Sequence, residues 1–122
     1  MADTGSGDPR ESSADHLALP PALAQQSLSQ RTLILPFDAA IAAIDHLTGT
    51  GRRIENWEGW VKLRDGARTK SLSFGGSFAL PSDSARAAET AKAGILRAHE
   101  RWLRDAEYPG AELYFGLTFA QR

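Results

Sequence analysis

The stretch that decides the fold is residues 52–79, RRIENWEGWVKLRDGARTKSLSFGGSFA. Two β-prone runs, 53–63 and 69–79, flank Asp65-Gly66, a dipeptide that favours a tight reversal because glycine takes a positive φ without a steric cost. Trp57, Val61 and Leu63 share one parity, and Leu72, Phe74 and Phe78 share another run of alternate positions. The spacing predicts an antiparallel hairpin. A four-residue loop, 65–68, pairs Arg64 with Thr69, Val61 with Leu72, Gly59 with Phe74 and Trp57 with Gly76, so that aromatic rings cover glycines on the facing strand. A two-residue turn would mix Lys70 and Arg68 into the apolar face, so the pattern favours the longer loop.

Working outward, Thr32–Leu35 is a short β-prone run stopped by Pro36, either an edge strand or an extended lead-in. Asp38 is a candidate N-cap, with Phe37 stapling to Ala42. Ile41, Ile44 and Leu47 recur at helical spacing, and Gly49 is a candidate stop, giving a helix over 38–48. After the hairpin, Ser82 or Asp83 caps a long helix to about residue 106. Ala88, Ala91, Ile95, Ala98 and Trp102 fall on one face. That face is small at its start, so it can approach a sheet closely, and Gly94 marks a further close contact. Beyond Pro109-Gly110, Leu113, Phe115, Leu117 and Phe119 alternate with Glu112, Tyr114 and Thr118, a strand pattern. The order (β)αββαβ predicts an α+β two-layer sandwich: an antiparallel sheet of the central hairpin and the C-terminal strand, with one short and one long helix packed mainly on one face.

The chain of 122 residues suits one domain, expected over 31–122. Residues 1–30, rich in Gly, Ser and Pro, read as a disordered acidic tail. They hold Asp3, Asp8, Glu11 and Asp15 against Arg10, a net −3. Ala22–Gln30 is a candidate for a helical turn docked on the domain. The remainder carries 13 Lys and Arg against 11 Asp and Glu. Neither part is charged enough to imply bulk polyanion or membrane binding. The acidic start lacks the basic and apolar regions of a signal peptide, so a cytoplasmic protein is expected.

With no cysteine, thiolate nucleophiles, disulfides and Cys-held zinc or iron–sulfur centres are excluded. His99-Glu100 opens like a zinc-peptidase motif, but Leu103 stands where the second histidine belongs. Gly49-Thr50-Gly51 follows a helix and lacks the third glycine of a dinucleotide loop, and Gly75-Gly76 lacks a following Lys-Ser/Thr. No Gly-x-Ser-x-Gly elbow occurs, and Asp45 and His46 diverge on a helix. No catalytic residue, metal ligand or cofactor is expected.

The hairpin is the suggestive feature. Arg52, Arg53, Lys62, Arg64, Arg68 and Lys70 oppose Glu55, Glu58 and Asp65, a net +3. Trp60, Lys62 and Arg64 share the parity opposite to Val61, with Ser73, Ser71 and Thr69 expected beside them. A tryptophan among cations suits a protein partner, or self in a homodimer, with Trp60 as anchor. It also suits single-stranded nucleic acid. The plain alternative is that Trp60 packs under the N-terminal segment or the short helix while the cations solvate the hairpin tip. The reading is a non-catalytic interaction or accessory module, with weak single-stranded nucleic acid binding as the alternative.

Trp57–Gly59, Asp65-Gly66, Phe74–Phe78, the Ser82–Ala88 helix start and Trp102 together resemble short proteobacterial α+β proteins of unknown function, over about half the chain. That group implies no activity or site. The element order is also similar to that of double-stranded RNA-binding domains, which use a Lys-rich start to the last helix. Here that start is Ser82-Asp83-Ser84-Ala85-Arg86, acidic and without a lysine pair.

Overall fold

A computed structural model describes residues 17–29, 32–76, 80–105 and 110–120, with residues 70–76 described by backbone alone. The expected acidic run before residue 17 lies outside the described residues, as do Phe78 and Ala79 of the expected second strand. The elements are α1 (Pro21–Ala24, one turn), β1 (Leu33–Pro36), α2 (Phe37–Gly49), β2 (Arg53–Lys62), β3 (Arg68–Gly76), α3 (Ser84–Asp105) and β4 (Glu112–Ala120).

The four strands form one antiparallel sheet in the order β1-β4-β2-β3. The fold class is the expected α+β sandwich. Strands β1 and β2 run parallel, joined through α2, with β4 between them. Strands β3 and β4 run parallel, joined through α3, with β2 between them. Each βαβ unit is thus split by a strand of the other.

Helices α2 and α3 cover one sheet face. Leu33 and Leu35 of β1, Ile54, Trp57 and Val61 of β2, and Leu113, Phe115, Leu117 and Phe119 of β4 form its buried side. Against them lie Ala39, Ala40, Ala43, Ile44 and Leu47 of α2, and Ala88, Ala91, Ile95, Ala98 and Trp102 of α3. The small residues of α3 let it approach closely. A Cβ added at Gly94 would stand 2.8 Å from Trp57 Cζ2. Ile54 and Trp57 differ in parity yet share the core because the β2–β4 pairing is irregular between Ile54 and Asn56. One residue out of step turns the strand's start back toward the helices.

The helix ends are built differently from expectation at three points. Pro36, extended at φ −66°, ψ 167°, is the N-cap of α2 in place of Asp38, which lies in the first turn. Proline sets φ as the chain passes from strand to helix, and the Asp38 carboxylate meets the dipole instead. Phe37 is the first residue of the helix and not the residue before its cap. Its ring stacks on His99 of α3, centroids 4.0 Å apart and planes 7° apart. The stop of α2 is Gly51 and not Gly49: with φ at +88°, Gly51 N–H donates to Thr48 O (3.1 Å) and Arg52 N–H to Leu47 O (2.9 Å). This paired closure needs the left-handed residue one place past the cap. At α3 the expected cap holds: Asp83 Oδ1 accepts from Ala85 N–H at 3.1 Å.

Residues 17–29, read from composition as part of the tail, pack on the domain. Leu19 is 5% exposed and joins the core. Ser27 Oγ accepts from Ile34 N–H at 3.0 Å, and Leu28 N–H donates to Ile34 O at 2.9 Å. The segment therefore satisfies the outward-facing backbone groups of Ile34 on the edge strand β1.

Candidate functional site

The helix-free face of the sheet carries the residues singled out from the sequence. In β2 it holds Asn56, Glu58, Trp60 and Lys62, and in β4 Thr118, Gly116, Tyr114 and Glu112, paired in that order. Alternation dictates this: each is one residue removed from a buried core position. Ile34 sits opposite Gly116 on β1.

The hairpin register differs from the expected one. Trp57 pairs with Gly76 as expected, but Gly59 pairs with Ser71, Trp60 with Lys70, Val61 with Thr69 and Lys62 with Arg68. Near the turn this is a slip of three residues, taken up by an irregularity between Trp57 and Gly59. The turn chemistry explains it. Asp65 Oδ1 accepts from Ala67 N–H (2.9 Å), Gly66 N–H donates to Leu63 O (2.9 Å), and Gly66 takes φ +93°. These bonds close a five-residue connection, 63–67, at the tip, and the turn fixes the local register. Trp60 and Lys62 consequently lie opposite Lys70 and Arg68, in place of a row of serines and threonines.

The indole of Trp60 lies across Gly116. A Cβ there would stand 3.0 Å from Trp60 Nε1, 3.3 Å from its Cδ1 and 3.5 Å from Glu58 Oε1. The absence of a side chain at Gly116 is what seats the ring. Trp60 is half-buried, and its Nε1 is inaccessible to water and has no hydrogen-bond partner. Asn56 Oδ1, on the same face, is also buried and unpartnered. Ile34, between the core residues Leu33 and Leu35 and so on the opposite face of β1, is 3% exposed.

The cations divide into two groups. Arg52 and Arg53 stand at the start of β2, and nine residue steps, about 30 Å of extended strand, separate Arg53 from Lys62. They do not join the hairpin-tip group. Arg52 donates to Thr50 Oγ1 at 2.8 Å, and Arg53 lies 3.6 Å from Glu55. At the tip end, Lys62 lies 3.8 Å from Glu112. Arg64 is exposed and lies along Gly110, where a Cβ would come within 3.1 Å of its Nε. Gly110, at φ +82°, lets the chain enter β4 beside the hairpin. Arg68 donates a hydrogen bond to the carbonyl of Leu28. Lys70 is placed by register alone.

Arg68 and Leu28 share no sequence pattern, because they are forty positions apart and neither carries a motif. No three His, Asp or Glu side chains of the described residues gather as a metal site, and none of the described helices is long and apolar enough to cross a membrane. No family model matches the chain, and no match is found among curated proteins or among solved structures.

Proposed function

We propose that the chain is a non-catalytic protein-interaction or accessory module that docks through the helix-free sheet face, with Trp60 as anchor and Lys62, Arg64, Arg68 and Lys70 as steering charges. The observation that carries this reading is the pairing of half-buried Trp60 with half-buried Tyr114 in the middle of that face. Charges of both signs surround the pair: Glu58, Lys62, Glu112 and Arg68. An aromatic centre with a mixed-charge rim suits a protein surface. A phosphate backbone is better met by cations alone, and here Glu112 lies against Lys62.

The test places a photo-crosslinking amino acid at Tyr114 and, in a second variant, at Arg97 on the outer side of α3, in the organism's own extract. Discrete protein adducts from position 114 and none from 97 are expected. Adducts from 97 alone would refute the reading. In parallel, the amide NMR spectrum is followed on adding a single-stranded oligonucleotide at low and high salt, and on dilution. Salt-sensitive shifts clustered at Trp60 and Lys62 would replace the protein partner by nucleic acid. Shifts on dilution at the same residues would make the partner a second copy.

A further inference from the structure

We propose that Ser27–Ser29 is a strap across the docking face, latched by Arg68, and that its opening uncovers Trp60. The inference rests on the interaction reading above, since it says how that surface is guarded. Strands β1 and β3 are the two edges of the sheet, with β4 and β2 between them. The strap is fastened to one edge by Leu28 N–H to Ile34 O and by Ile34 N–H to Ser27 Oγ. It is fastened to the other edge by Arg68, which donates to the Leu28 carbonyl. Arg68 pairs with Lys62, whose neighbour Val61 is in the core, so the guanidinium reaches Leu28 over the helix-free face. Three inter-strand steps of about 4.8 Å separate the edges. A single side chain bridges that span only where the face is concave or the segment lies over it, and in both cases Trp60 and Tyr114 are beneath the bridge.

Two observations agree. Ile34, on the face of β1 opposite to Leu33 and Leu35, is buried beside the strap, and Trp60 Nε1 is shut off from water. The covered state is also poised. Its latch is an exposed hydrogen bond to a neutral carbonyl, for which water competes and a carboxylate would be the better acceptor. Closing the strap also leaves the Trp60 N–H buried without an acceptor, whereas opening gives it water. The unmet Trp60 donor opposes the closed strap.

The test measures solvent exchange of the indole N–H protons in the full-length, isotopically labelled chain. Its three tryptophans supply the probe and two controls: Trp60 under the strap, and Trp57 of β2 and Trp102 of α3 in the core between sheet and helices. Arg68→Ala is expected to speed Trp60 N–H exchange about fivefold or more and to leave Trp57 and Trp102 unchanged. Ser27→Ala, which loosens the other fastening, is expected to act in the same direction, and it carries the test if Arg68→Ala does not fold. Unchanged Trp60 exchange in both variants would overturn the proposal, as would equal acceleration of all three indoles. The two readings separate. Crosslinking from position 114 with unchanged exchange removes the strap and keeps the docking face. Selective exchange without adducts in wild type or Arg68→Ala keeps the strap and removes the docking face.

Discussion

Gly94 gives the sharpest test of how α3 meets the sheet. In the middle of a 22-residue helix, replacing glycine by alanine raises helix propensity by about 0.8–1.0 kcal/mol. Packing opposes it. The new Cβ would stand 2.8 Å from Trp57 Cζ2 and 3.2 Å from Cε2 and Nε1, whereas carbon atoms rest at about 3.5–4.0 Å. Trp57 is 8% exposed and its ring lies against Phe115 at a centroid distance of 6.0 Å, so it has little room to retreat. Overpacking of this kind costs about 1–3 kcal/mol. With a clash near the middle of that range, Gly94→Ala should destabilise the fold by about 1 kcal/mol, and Tm should fall by roughly 4–8 °C. Thermal unfolding followed by circular dichroism reads this directly. Gly49→Ala is the control. Its Cβ meets nothing within 4 Å, so Tm should hold or rise by a few degrees, about 0.5 kcal/mol. In a Trp57→Leu background, Gly94→Ala should turn from destabilising to neutral or stabilising. A rise in Tm for Gly94→Ala in the wild-type background would refute the reasoning, because it would mean that α3 can lift from Trp57 at no cost.

Other substitutions probe other joints. Leu19→Ala should lower stability by about 2 kcal/mol, the low end for a buried leucine at the margin of a core, measured by urea denaturation; no change would separate residues 17–29 from the folded unit. Trp102→Ala empties the far end of α3 and should cost about 3–5 kcal/mol on the same assay. Asp45 and Lys92 are 2.6 Å apart, but their side chains remain 59% and 34% exposed, so a double-mutant cycle should yield a coupling of about 0.5 kcal/mol or less. Gly116→Ala pushes on Trp60 and should move its indole N–H resonance while leaving those of Trp57 and Trp102 in place.

Local patterns were well written in the chain. The alternation of Leu113 to Phe119, the apolar stripe from Ala88 to Trp102, the cap at Asp83 and the turn at Asp65-Gly66 all depend on neighbours within a few residues, and each appears as read. The slip of the hairpin register was not legible, because the five-residue connection and the irregularity opposite Trp57 trade against each other. The Asp65 and Gly66 hydrogen bonds set the tip, while the core sets the far end. Ile54 hides for a similar reason, since only the irregularity after it brings it onto the face of Trp57. Gly49 and Gly51 are alike in sequence, both glycines near a helix end, and only the dihedral angles tell which one turns. At the docking face, Trp60 and its flanking cations stood out in the sequence. Their partners did not: Gly116, Leu28 and Glu112 are supplied by elements far along the chain, and no local signal reports a contact made by tertiary folding.

The interlocking of the two βαβ units has a consequence for how the chain comes into being. Strand β4 is central to the sheet, yet among the described residues it is the last element in order. Until residues 112–120 have left the ribosome, β1 has no partner strand, and β2 is paired on one side only. All of β1 to α3 must be synthesised before the sheet can close. Contacts of such long sequence separation form slowly, and an unpaired strand edge beside apolar side chains is a target for mispairing in the interval. The nascent chain is therefore most vulnerable in the interval before β4 is free to pair, when the hairpin and helices lack the strand that belongs in the middle of their sheet.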